Sequence, residues 1–184
     1  NNLQNHISAT SGLLVYEKNE GIHPLVRIGI GIYGLWPSEY LKYIYQRDEK
    51  FILKPILTWK TKIAQIKILG KGETVGYGLT FKANKKMKIA LIPQGYSNGL
   101  DRRSSNKGKF LINGKYCKIL GRVMMNMTVV DVSHLQNVKV EDEVVLLGKQ
   151  GKMEITDLDI AKQIKTINYE VVAKISSLLP RFVV

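Results

Sequence analysis

After Pro55, apolar and polar residues alternate in short runs. Residues 56–69 carry several Ile, Thr and Trp, types that suit a pleated, half-buried surface. Residues 88–92 predict another strand. Residues 110–112 and 116–120 flank Asn113-Gly114, the strongest short hairpin signal available. Residues 123–132 and 143–147 continue the pattern, and the Gly-Lys-Gln-Gly stretch at 148–151 predicts a turn. Many short strands joined by glycine turns predict a mainly β fold, an antiparallel barrel closed or nearly so.

The two ends of the chain read differently. Residues 25–34 (LVRIGIGIYG) form an apolar run with β-branched residues and glycines, which predicts a buried strand feeding a turn. Arg27 is anomalous there, because a charge inside such a strand needs a partner. Trp36-Pro37-Ser38 breaks the run. Residues 38–51 hold one helical turn or two and mark a domain boundary. Near the other end, Thr156 followed by Asp159 predicts a helix N-cap with an acidic first turn. A second helical run begins near residues 167–169 and continues to Ile175. Pro180 ends it, and residues 182–184 could add a last strand.

The chain has 184 residues, enough for one or two domains with a real core. Lys and Arg number 28 against 15 acidic residues, for a net charge of +13. That excess raises nucleic acid or an anionic ligand as partners. The lysines are scattered, however, and their densest cluster, at 82–88, reads as a solvated hairpin. Cys117 stands alone, which excludes an intramolecular disulfide and fits a reducing, cytoplasmic setting. His6, His23 and His134 show no metal-ligand spacing. No stretch approaches a membrane span and no secretory signal is present. The opening Asn and abrupt start lead us to expect a piece of a longer protein.

Residues 72–81 (GETVGYGLTF) hold the most suggestive side chain. Tyr77 stands between Gly76 and Gly78, where the backbone is free to take positive φ and another surface can approach closely. Such a phenol either meets a ligand or caps a hairpin corner. The glycines at 29–34 either present N–H groups to a phosphate or let a core strand pack closely; they match neither a Walker motif nor a dinucleotide fingerprint. Residues 93–103 (PQGYSNGLDRR) form a gate for an anionic substrate or an ordinary exposed loop. Residues 121–127 (GRVMMNM) read by default as adaptable core filling. Tyr169, in TINYE, falls in a first helical turn, where anions are welcome, or closes the core beneath the helix.

Taken in order, RIGIGIYG, VGYGLTF, PQGYSNGL, GRVMMNMTVVDV and TINYEVVAKISSLLPR resemble motifs of the pyridoxal-phosphate-dependent alanine racemases, from about His6 to the C-terminus. The resemblance implies that residues 1–50 are the last segment of a cofactor-binding β/α barrel and residues 54–184 the C-terminal β-domain. The motif with the lysine that holds the cofactor is absent from this chain, so the fragment alone is expected to be inactive.

By the same resemblance, Tyr77 corresponds to the catalytic tyrosine that takes the Cα proton from L-alanine. The missing lysine would serve the opposite face. Arg27 corresponds to the donor to the pyridine nitrogen, Gly29, Ile30, Thr10 and Tyr169 to groups around the phosphate, and His6 to a histidine near the cofactor. Met125 corresponds to the residue whose main-chain N–H meets the substrate carboxylate. Tyr96, Arg102, Arg122 and Ile167 correspond to the entryway. Family members place Tyr77 and Met125 against the other subunit's cofactor, which implies a homodimer making D-alanine for peptidoglycan. A free tyrosine titrates near ~10, so a tyrosine base needs donors or cations around it. Where the family commonly has Cys-Met-Asp-Gln, this chain has Met124-Met125-Asn126-Met127, and one acid is lost at Asn126. The alternatives are a relative acting on serine or several amino acids, or a basic β-barrel interaction module.

Overall fold

The computed structural model describes residues 6–16, 25–47 and 52–184. The chain forms two compact units that divide between Leu57 and Thr58. In the first unit β1 (His6–Ala9) pairs in parallel with β2 (Leu25–Arg27), and α1 (Thr10–Tyr16) follows β1 directly. The last element, α2 (Glu39–Arg47), starts where the Ser38 hydroxyl accepts from the Leu41 N–H at 3.2 Å. Glu39 in its first turn and Arg47 in its last complement the helix dipole. Leu41 and Tyr45, one turn apart, are buried with Trp36 against Leu14, Ile44 and Leu53. The Tyr45 hydroxyl donates to the Leu14 carbonyl, and the Trp36 and Tyr45 rings lie 5.8 Å apart.

Two expectations for this region are corrected. The strand expected over 25–34 stops at Arg27 and gives way to a 3-10 turn, Ile30–Tyr33, closed by Gly34 at φ +68°. A Cβ on Gly34 would sit 1.7 Å from the Lys54 carbonyl oxygen, so the returning chain crosses too closely for any side chain. Arg27 is exposed, not buried; among the described residues β2 pairs with β1 alone.

The second unit carries β3 (Trp59–Lys62), β4 (Gln65–Leu69), β5 (Thr74–Val75), β6 (Phe81–Lys82), β7 (Met87–Ile92), β8 (Lys109–Ile112) and β9 (Lys115–Leu120). β10 (Thr128–Asp131), β11 (Glu143–Gln150), β12 (Met153–Ile155), α3 (Asp157–Ile164) and α4 (Asn168–Ala173) complete it. The main sheet runs β12-β11-β8-β9-β10-β7-β4, antiparallel throughout, and β3 also pairs with β11, off that path. β5 and β6 pair apart from it. No ladder closes the sheet among the described residues. One segment nonetheless serves both edges: β3 pairs with β11, the chain bends at Ile63-Ala64, and β4 pairs with β7. Ile63 is fully buried at that bend and exchanges backbone hydrogen bonds with Glu141 and Asp142. The fold is therefore mainly antiparallel β and barrel-like.

Asn113 and Gly114 take φ of +51° and +69°, and the β8–β9 hairpin turns on them as expected. Thr156 caps α3 in a reciprocal pair with Asp159, also as expected. The strand expected over 123–132 shrinks to Thr128–Asp131, because 121–127 is drawn into a loop. The turn expected at 148–151 moves to Gly151, at φ +61°, and Gly148 lies inside β11 opposite Ile155. Its role is packing, since a Cβ there would meet Thr58 Cγ2 at 2.7 Å. Residues 182–184 form no strand; they run exposed beyond Pro180 with no ladder to join. No helix among the described residues is long and apolar enough to cross a membrane.

Candidate active site

In the first unit, the junction of β1 and α1 buries Thr10. Its Oγ1 accepts from the Gly29 N–H at 3.1 Å and the Gly31 N–H at 3.4 Å. With both lone-pair directions used, the hydroxyl still has its own proton to give, and that proton finds no acceptor among the described residues. Ile30 begins the 3-10 turn, so its N–H is an open first-turn donor. A Cβ on Gly31 would sit 2.9 Å from Thr10 Cγ2, whereas one on Gly29 would meet nothing within 4 Å. The hydroxyl and the glycine turn thus form a small cradle with unspent donors beside open space. A phosphate, or another anion with several acceptor oxygens, fits that donor set. Arg27 ends β2 just ahead of the cradle. The side chain of His6 lies outside the described residues.

In the second unit, Tyr77, Met125, Tyr96, Arg102 and Arg122 fall on loops that interlock along one rim. Tyr77–Leu79 is a 3-10 turn entered at Gly76 (φ +77°) and bent at Gly78 (φ +69°), and it leaves Tyr77 72% exposed. Val75, just before it, is buried in the core, so the turn is anchored at its base while the phenol stands clear. A Cβ on Gly121 would lie 2.5 Å from the Val75 carbonyl oxygen, and one on Gly78 would lie 3.4 Å from Arg122 Cζ. The 121–122 backbone therefore packs under the tyrosine turn, and the Arg122 guanidinium lies against Gly78. Asn106 ties the same place together: its Oδ1 accepts from the Gly121 N–H at 2.7 Å and its Nδ2 donates to Thr80 Oγ1 at 3.2 Å.

The methionine run departs from the core-filling expectation. Only Met124 packs against the core; Met125 is 55% exposed, and Met127 is exposed too. The run is instead a loop gripped by residues 95–98. The Tyr96 N–H donates to the Met124 carbonyl and the Ser97 N–H to the Met125 carbonyl, each at 3.0 Å. The Ser97 hydroxyl lies 2.8 Å from Met125 O and 2.5 Å from Asn126 Oδ1. The Met125 N–H donates to no group among the described residues. Buried Gln94 fixes the base of the gripping loop: its Oε1 accepts from Trp59 Nε1 at 3.2 Å and its carbonyl from Thr128 Oγ1 at 2.7 Å.

The loop also reaches the last helix. Asp101 takes the Arg103 guanidinium at 2.7 Å and Lys174 Nζ at 3.1 Å, and Glu170 takes Arg103 at 3.2 Å and Lys174 as well. The Arg103 side chain, with its backbone N–H and Lys174, holds the Asp101 carboxyl well below the usual carboxylate range, against an opposing push from burial. Lys174 and then Arg103 lower Glu170, while Glu170 and Asp101 raise Lys174. A cavity of about 590 Å³, lined by Tyr96, Gly99, Leu100, Asp101, Arg102 and Lys174, opens beside this network. Ile167 caps α4 and Tyr169 lies in its first turn, one residue ahead of Glu170. The ion network was not anticipated from sequence; the Glu170–Lys174 spacing of four on a helix was its one visible sign.

A mainly β domain that displays a phenol, guanidinium groups and an open main-chain donor on one rim is of a known type. The family model described as "Alanine racemase, C-terminal domain" matches residues 56–183. The chain belongs to the alanine racemase family. It is 40% identical over its whole length to the alanine racemase of Leptospira interrogans, covering 47% of that protein, and 44% identical over 95% of its length to that of Halothermothrix orenii, covering 44%. Among solved structures, the alanine racemase of Bacillus anthracis with bound L-Ala-P superposes with a TM-score of 0.82 at 34% identity, over 93% of this chain and 42% of that one. That of Streptomyces lavendulae gives 0.84 at 32%, over 96% and 44%. The chain thus spans a little under half the length of these relatives.

Proposed function

We propose that this chain is the C-terminal part of a homodimeric, pyridoxal-phosphate-dependent alanine racemase that interconverts L- and D-alanine for peptidoglycan synthesis. Residues 1–50 would be the last segment of its cofactor-binding barrel. The observation that carries the reading is the exposed Tyr77 phenol on a turn anchored in the core of the matched domain. Thr10 and Ile30 would hold the cofactor phosphate with the two open donors described above, Gly29 giving its N–H to set the Thr10 hydroxyl in place, and Tyr169 would join them. Arg27 would donate to the ring nitrogen; as an arginine it stays charged and leaves that nitrogen unprotonated. When bound, the cofactor supplies the ring that withdraws electrons and acidifies the alanine Cα–H.

Tyr77 takes that proton from L-alanine at its phenolic oxygen, and the lysine supplied outside this chain serves the other face. The Met125 N–H meets the substrate carboxylate. Arg122 places a fixed positive charge against the turn that carries the phenol. Tyr96, Arg102 and Ile167 narrow the approach. Tyr77 and Met125 act on the cofactor of the partner subunit, so each site is composite. The test is to incubate the intact enzyme with L-alanine in deuterated water. Deuterium at Cα and appearance of the D-enantiomer are expected, with L-serine a weak competitor. Racemisation of serine in preference to alanine would move the protein to a related specificity. Salt-sensitive binding of single-stranded nucleic acid with no exchange would overturn the reading.

A further inference from the structure

The geometry points to Gly95 and Ser97 as positioning residues that aim the Met125 N–H at the substrate carboxylate. The inference rests on the proposed role of that N–H. A trans peptide sets its C=O and N–H on opposite sides, so whatever fixes one direction fixes the other. The peptide between Met124 and Met125 has its carbonyl held by the Tyr96 N–H at 3.0 Å. Its N–H, which belongs to Met125, therefore faces away from the 95–98 loop, where it has no partner among the described residues. The next peptide is held the same way, with the Met125 carbonyl taking both the Ser97 N–H and the Ser97 hydroxyl.

This grip needs close approach. A Cβ on Gly95 would lie 2.2 Å from Met124 O and 2.3 Å from Met125 O, both rigid backbone atoms. The loop's own shape is set by Asn98, whose Oδ1 accepts from the Gly95 N–H at 2.9 Å and whose N–H returns to the Gly95 carbonyl at 3.1 Å. Gly95 and Ser97 thus touch no substrate; Gly95 lets the loops come close enough for the Tyr96 and Ser97 N–H groups to hold two consecutive carbonyls, and the Ser97 hydroxyl adds a second bond to one of them.

Steady-state kinetics of the intact enzyme, with propanoate as a competitor, tests this. Propanoate is alanine without its amine, so it reports on the carboxylate alone. Ser97→Ala is expected to raise KM for both enantiomers, and Ki for propanoate, by about five- to tenfold, the factor that one lost hydrogen bond brings. kcat should change less than KM, and Ser97→Thr should restore both constants. Gly95→Ala should lower kcat/KM on the order of a hundredfold, as an ångström of misplacement does. Because Gly95→Ala could also unsettle the fold, the serine pair decides. KM and Ki unmoved by Ser97→Ala, or a loss confined to kcat and not rescued by Thr, overturns the inference while leaving the racemase reading intact. A wild-type enzyme that does not racemise alanine overturns both.

Discussion

The Thr10 cradle and the tyrosine rim solve different problems with different materials. The cradle is made almost wholly of backbone: one open isoleucine N–H, and a single buried hydroxyl held by two glycine N–H groups with its own proton left to give. It presents donors at fixed positions and needs nothing further from side chains. The rim holds an exposed phenol and an exposed methionine backbone on loops that have little core of their own. It gains rigidity from cross-ties: Gly121 against Val75, Asn106 to Gly121 and Thr80, and Ser97 to Met125. Holding an anion tolerates a small shift, because several oxygens share several donors. Taking one proton from one carbon does not.

The largest effect expected is therefore on the rim. Tyr77→Phe keeps the ring and the turn and removes only the phenolic oxygen. Racemisation from L-alanine should fall roughly 10²–10⁴-fold, the usual worth of a positioned acid–base group. Cofactor affinity, followed by absorbance, should not change. Equal loss of cofactor would show that the phenol is structural.

In the cradle, Thr10→Val removes the hydroxyl at nearly constant shape. Two part-buried N–H donors lose their acceptor, at a cost of about 1 kcal/mol in stability. On the proposed reading the proton offered to the phosphate disappears as well, and cofactor affinity should drop about tenfold or more, since hydrogen bonds to charged groups are the stronger ones. Thr10→Ser should preserve both. KM for alanine at saturating cofactor should move little, and a large change there would mean that cradle and rim are not separable.

How much of this could be read from the residues depends on the range of each interaction. The Asn113-Gly114 hairpin and the Thr156/Asp159 cap were legible because all their partners lie within a few residues. The exposure of Tyr77 was legible as one of two outcomes, since two flanking glycines remove neighbours without saying what lies beyond. Gly148 was misread because its reason, the Thr58 side chain, is far away in sequence. Arg27 was misread as buried because the strand ends at that residue, and an apolar run does not reveal where its strand will stop. The twelve residues named from family motifs owed their roles to the resemblance; the residues alone gave only donors, glycines and phenols.

The Asp101 network offers a pH-dependent test of how the rim is held. Asp101 and Glu170 both have lowered pKa values in the folded chain. Each therefore contributes stability above its unfolded value, lost as pH falls through the carboxylate range below about 4. Lys174 is raised, so its share is present below its unfolded value and is lost only in strong alkali. Asp101→Asn should lower Tm at pH 7 by about 2–4 °C, the size of one modest interaction in a chain of this length. The gap from wild type should begin to narrow below about pH 4 and still be open at about pH 3, because Asp101 gives up its share only as the pH falls through its strongly lowered value. A gap that stays constant would assign the loss to packing, not charge.

The smallest effect expected is at Asn126, where the chain departs from the acid usual in the family. The Ser97 hydroxyl has one proton and two acceptors, Met125 O at 2.8 Å and Asn126 Oδ1 at 2.5 Å. With a neutral amide at 126 the two compete as near equals, and Met125 O keeps a share. Asn126→Asp would put a carboxylate in that place, a stronger acceptor that draws the proton to itself. The Met125 carbonyl would then depend on the Ser97 N–H alone. KM for alanine should rise by about twofold, less than with Ser97→Ala, because the hydroxyl still ties the two loops together. In a Ser97→Ala background the same substitution should do nothing, since the shared proton is already gone. A fall in KM in either background would mean that negative charge on the rim acts on the substrate by a route other than the Ser97 proton.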